Sequence, residues 1–134
     1  MSNSSLRDDV GREDLEKLQG IWRTVAVEVD GTSIPSWQFE NSTLVIVGDR
    51  FILANPQPDA EQRTEGVFKL DARTVPKELN LTLDNGQVIE EIYELKETAL
   101  KVCYSIKGGR RPKHFNNSPQ SGISVVVYER ESRP

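Results

Sequence analysis

Along most of this chain apolar and polar residues alternate with the two-residue period of half-buried β-strands. The cleanest case is Glu78–Leu83, where Leu79, Leu81 and Leu83 share one face and Asn80 and Thr82 the other. Gly20–Asp30 is rich in β-branched residues, with Ile21, Thr24, Val25, Val27 and Val29. Thr43–Val47, Arg50–Ala54, Thr64–Leu70, Gln87–Leu95, Leu100–Ser105 and Ile123–Glu131 complete a set of eight predicted strands. Gly48-Asp49 and Asn85-Gly86 sit between strand pairs as two-residue hairpin signals. The N-terminal stretch reads differently. Arg12–Gln19 spaces Leu15 and Leu18 three apart among charged residues, and Gly20 follows as a stop, which predicts one short amphipathic helix. Ser36–Glu40 is a second candidate for helical structure. Residues 1–11 are polar and without periodicity and read as a disordered tail, leaving 12–134 as one domain.

Short strands joined by short links favour an up-and-down meander. Eight such strands can close into a barrel, which removes the edges that invite aggregation. The expected fold is therefore all-β: an eight-stranded antiparallel up-and-down barrel with a short N-terminal helix. A two-sheet sandwich is the competing arrangement. The 134 residues suit one domain with a core of its own. A hydrophobic fraction of 36% against 28% charged residues places the chain among folded rather than disordered sequences.

Candidate chemistry is sparse. One cysteine, Cys103, and one histidine, His114, leave no intrachain disulfide and too few ligands for the usual zinc sites. No metal or cofactor is expected. A net charge of −4 argues against nonspecific nucleic-acid binding. No apolar run approaches the ~20 residues of a membrane span, and the N-terminus lacks the apolar core of a secretory signal. A cytoplasmic location is the expectation.

Gly20-Ile21-Trp22 at the head of the first strand, after a short helix, resembles the G-x-W signature of lipocalins and their calycin relatives. Arg130, near the end of the last strand, stands where that superfamily places a basic residue over the Trp. This resemblance implies a closed end built on Gly20, Trp22 and Arg130. A wider similarity runs from Leu18 to Arg130. It is carried by Leu18–Trp22, Gly48–Phe51, Ile92–Leu95, Leu100–Tyr104 and Arg111-Pro112 with Phe115, and it points to a lipocalin-like domain family expanded in planctomycete bacteria, largely of unknown function. Family turns that often carry Asp-Gly-Asp are replaced here by Lys96-Glu97-Thr98.

Strand alternation sends the longest links, Gly31–Ser42, Asn55–Arg63 and Ile106–Gly122, to the end opposite Trp22. Long loops on a rigid barrel are where binding usually resides. The link beginning at Ile106 carries Lys107, Arg110, Arg111 and Lys113, with His114 and Phe115, and no acid. Two readings are open: a basic mouth that draws an anionic group, or a solvated surface loop that balances nearby acids. Trp37 and Phe39 are read either as an apolar lid or as a satellite core under the loop. A two-residue turn at Asn85-Gly86 would put Val88, Glu90 and Ile92 on the leucine face, with Glu90 opposite Leu81 and a raised pKa in an apolar lumen. A one-residue slip would put Glu90 outside. Tyr104 is a further lumen candidate. The expected function is noncatalytic binding of a small amphipathic, anionic ligand in the lumen. A protein-interaction module with a side-chain-filled barrel is one alternative. A small barrel enzyme using Glu90 or Tyr104 as acid or base is another. No nucleophile elbow, phosphate loop or Rossmann glycine pattern is present.

Overall fold

The computed structural model describes residues 3–56, 61–106, 108–115, 118–119 and 121–132, and the side chains of residues 10–131 within them. A helix, α1 (Asn3–Leu18), leads into β1 (Gly20–Val29). There follow β2 (Thr32–Ser33), a single 3-10 turn (Ser36–Gln38), β3 (Thr43–Val47), β4 (Arg50–Pro56), β5 (Glu61–Asp71), β6 (Lys77–Leu83), β7 (Val88–Leu95), β8 (Ala99–Ser105) and β9 (Ile123–Ser132). Every barrel strand lies antiparallel to its neighbour in chain order, and β9 closes the ring against β1. The two-residue β2 only extends the far end of β1, pairing Ser33 with Glu28. Eight strands therefore close the barrel, and the sandwich arrangement does not occur. The helix is longer than the pattern predicts. It includes residues 3–11, read above as a tail, although the strand boundaries fall within a few residues of expectation.

Two of the turns set everything downstream of them. Val47 pairs with Arg50 across Gly48-Asp49, the two-residue turn the sequence predicts. The second hairpin does not behave the same way. Thr82 pairs with Val88, and the Leu83 amide bonds the Gln87 carbonyl, so Asp84, Asn85 and Gly86 all lie in the loop. Gly86 takes φ +92°, and its amide bonds the Leu83 carbonyl. A turn followed by a left-handed glycine adds one residue relative to the two-residue form. Because side chains alternate, that one residue reverses the face of every position in β7.

The inner face carries the main core, including Leu44, Ile46, Phe51, Phe68, Leu79, Tyr93, Leu100, Val102, Val126 and Tyr128. Gly66 belongs to this face, between Phe51 and Leu83 in the pairing. A Cβ there would overlap the Thr82 carbonyl, so β5 and β6 come together only because this residue is glycine. A second, smaller core lies on the outer face, where Ile92, Cys103 and Val125 pack with Phe115 and Ile123. Those outer residues explain the adjacent apolar pairs Ile92-Tyr93, Val102-Cys103 and Val125-Val126 in β7, β8 and β9. At those pairs both faces of the sheet are covered.

One end of the barrel is sealed by α1. Trp22 is fully buried, and its indole N–H donates to the Leu18 carbonyl at 2.8 Å. The Arg130 guanidinium lies 4.2 Å from the centre of the Trp22 ring. It donates to the carbonyls of Lys17, Gln19 (2.9 Å) and Glu97 (3.3 Å). A helix C-terminus leaves orphan carbonyls and a partial negative charge, and this cation answers both. Gln19 fastens the β3–β4 turn to the same end through paired bonds with the Gly48 backbone. Trp22 and Arg130 thus meet at the sealed end, where Gly20 opens β1.

Candidate functional site

The barrel is not filled by its side chains. A cavity of about 470 Å³ runs inside it, from Leu18, Leu100 and Ile46 near the sealed end to Gln38, Asn55 and Gln62 at the open one. Its walls are mostly leucine, phenylalanine and valine, among them Leu53, Phe68, Leu79, Leu81, Leu83 and Val102. The rim is polar, and the Asn55 amide reaches the Gln38 carbonyl at 3.4 Å. The wide end therefore lies opposite Trp22, as strand alternation requires.

Glu91 is the one carboxyl among the cavity-lining residues, and no Lys, Arg or His lines the cavity among the described residues. It faces inward because the three-residue turn pairs it with Leu79. Burial raises its pKa to about 8, against a smaller opposing pull from Arg111. Tyr104 stands opposite it across the β7–β8 ladder, and Tyr128 of β9 lines the same space. Burial, and then the charges of Glu91 and Tyr104, hold the Tyr128 phenol well above its ordinary range. The arrangement is an apolar chamber with a small cluster of oxygen functions in its wall. A carboxyl that is neutral near pH 7 can there donate a hydrogen bond, and when ionised it can accept a cation.

Several expected site residues lie elsewhere. Glu90 pairs with Asn80 in the ladder and points outward, where its carboxylate meets Arg111 at 3.2 Å. The extra turn residue, not any local preference of Glu90, places it there. Arg111 is no mouth cation. Its guanidinium lies against the outside of β6 and β7, bonding the carbonyls of Leu79 (3.1 Å) and Glu91 (2.7 Å) and the Asn80 side chain. Glu78 lies 3.6 Å from it. Pro112 is buried beside it in sequence, and Phe115 packs on the outer core with the Lys101 ammonium 4.9 Å above its ring. The segment folds back over the wall because Ile92, Cys103 and Val125 need cover and two glutamates need a cation. Arg110, Lys113 and His114 are exposed on that segment and do not line the cavity. Lys107 lies outside the described residues. The lid is divided as well. Phe39 is buried and lines the cavity, whereas Trp37 is 70% exposed. A 3-10 turn sends residues two apart in different directions. Leu81 and Tyr104 are the other two expected residues that the structure brings to the lumen.

Sequence reasoning missed Glu91, and the Gly86 signal for a three-residue loop was the available clue. It also missed Asp14. This buried carboxylate on α1 accepts the Tyr93 hydroxyl at 2.7 Å and the Lys77 ammonium at 2.9 Å. That cluster ties helix to barrel and satisfies the Tyr93 hydroxyl. Among the described residues no group of His, Cys, Asp or Glu is arranged to hold a metal, and no helix is long and apolar enough to cross a membrane. Compared with protein families, curated proteins and solved structures, the chain matches none of them.

Proposed function

We propose that this protein is a binding protein of the lipocalin-like kind, taking a small amphipathic molecule into the barrel lumen without transforming it. The observation that carries the reading is the hollow interior. About 470 Å³ of mostly apolar space, open at one end, lies within the usual range of small-molecule sites. An interaction module with a side-chain-filled barrel has no need of such a space. The anionic head group expected from the basic segment finds no support in the lumen, since Arg111 is engaged on the outer wall. The narrower kinship with a planctomycete family rests on the motifs between Leu18 and Arg130 alone, whereas the Trp22–Arg130 contact supports the lipocalin-like reading.

Uptake of a neutral fluorescent probe, N-phenyl-1-naphthylamine, tests the proposal. The probe should brighten on entering the lumen. Leu81→Trp combined with Leu83→Trp should weaken uptake by narrowing it, while Val47→Trp on the exposed outer wall should not. Uptake indifferent to the lumen substitutions would overturn the reading.

Glu91 favours a second reading, in which the buried carboxyl moves a proton on a bound substrate. Recovery of bound molecules unchanged after long incubation separates binding from this acid–base chemistry.

A further inference from the structure

We infer that the lumen prefers a small apolar amine, whose ammonium group pairs with the Glu91 carboxylate between the Tyr104 and Tyr128 phenols. The inference rests on the lumen-binding reading and names the ligand class that reading leaves open.

Three observations converge on it. The first is the sign of the chamber. Among its described lining residues Glu91 is the one group that can carry charge near neutral pH, and no cationic side chain accompanies it. An anion entering the lumen would meet no partner and one potential repulsion. The second is the state of Glu91 itself. It is 6% exposed, yet among the described residues nothing hydrogen-bonds its carboxyl. Its carboxyl opens onto the cavity, so the partner that a polar group in an apolar wall nearly always has comes from the lumen, water in the empty barrel or a ligand in the filled one. The third is the position of Arg111. This cation bonds the backbone carbonyl of Glu91 from behind the wall, and Glu78 and Glu90 engage its charge. The nearest guanidinium therefore supports the strand and leaves the inward carboxyl unpaired.

The groups facing Glu91 are few. Tyr104 comes from β8 and Tyr128 from β9, β6 presents leucines, and Arg111 stands behind the wall. Tyr93, two residues along β7, is engaged by Asp14. Phenol rings and oxygens suit an ammonium group, the ring faces by cation–π attraction and the oxygens as acceptors. In the empty lumen near pH 7 the Glu91 carboxyl holds its proton. When an ammonium group enters, the carboxyl releases that proton to solvent, and the ammonium ion and carboxylate remain as a neutral pair. One proton leaves per ligand bound. A neutral alcohol of the same length instead accepts a hydrogen bond from the protonated carboxyl and releases none.

Calorimetric titration with n-octylamine, n-octanol and octanoate, from about pH 6 to about pH 8.5, tests this. Octylamine affinity should rise about tenfold per pH unit below pH 8, because a single proton is linked to binding. Buffers of different ionisation enthalpy should report close to one proton released. Octanol affinity should be level below pH 8 and fall above it, and octanoate should bind most weakly. Glu91→Gln should abolish the amine's pH dependence and proton release while retaining octanol. Should that variant fail to fold, the wild-type profiles alone decide. Amine and alcohol binding with the same pH profile, or octanoate binding best, would overturn the inference while leaving lumen binding intact. Binding of none of the three would overturn both.

Discussion

A carboxyl held neutral by burial makes folding itself depend on pH. The folded pKa of Glu91 is about 8, above the ordinary 4.5. Below the ordinary value both folded and unfolded chains carry the proton, and burial of the neutral acid costs nothing extra from ionisation. As pH rises from there the unfolded chain loses its proton first, so stability falls until the folded carboxyl also ionises near pH 8, then levels. Each unit of separation corresponds to roughly 1.4 kcal/mol. Glu91→Gln should remove this slope. Urea midpoints compared between wild type and variant across that range will show it, and parallel curves would mean that Glu91 is well solvated. Neighbouring leucines should respond unequally too. Leu79 is almost fully buried, and Leu79→Ala should cost about 2–5 kcal/mol. Leu81 lines the same cavity but is only half-buried, so less of its side chain leaves water on folding and Leu81→Ala should fall below that range. Equal losses in denaturant melts would mean that the two leucines are buried alike.

At the scale of elements, the segment between β8 and β9 acts as an external brace. Arg111 joins the backbone of β6 and β7 to the carboxylates of Glu78 and Glu90, and Phe115 covers the outer core. Arg111→Ala should therefore destabilise by about 1.5–3 kcal/mol, since it strips charged hydrogen bonds from half-covered carbonyls. Arg110→Ala, one position away and exposed, should stay within about 0.5 kcal/mol. Thermal unfolding of the two variants decides whether the basic segment is a brace or a ligand-facing mouth. The β5–β6 pair depends on Gly66 in a different way. Gly66→Ala should cost about 1–3 kcal/mol or more, because the added methyl must push the Thr82 carbonyl out of the ladder. A variant as stable as wild type would mean that the two strands can separate without loss.

The whole molecule is a cup, with a helix-sealed base and a polar-rimmed mouth. The base is held by Arg130, whose guanidinium stacks on Trp22 and gathers carbonyls from the end of α1 and from the β7–β8 turn. Arg130→Ala should lower stability by roughly 1–3 kcal/mol. It should also loosen the helix end, which amide exchange at residues 15–20 would report. Protection unchanged there would mean that α1 seals the base unaided. Much of this architecture was legible in the sequence. The alternation of Leu79, Leu81 and Leu83, the β-branched run after Gly20 and the Gly48-Asp49 turn all act locally, through side-chain periodicity and backbone preference, so eight strands could be read directly. The Trp22 and Arg130 pair was legible through the resemblance to the lipocalin G-x-W signature, and ring closure is what brings the first and last strands together to make it. The cavity wall was not legible to the same degree. Whether Glu90 or Glu91 faces the lumen hangs on one extra residue in the turn before β7, and a period of two converts that single residue into a complete exchange of faces. The direction of the basic segment was likewise a tertiary decision. Only the assembled barrel places Glu78, Glu90 and the apolar outer faces of Ile92, Cys103 and Val125 together, and their joint demand for a cation and for cover draws Arg111 and Phe115 away from the mouth.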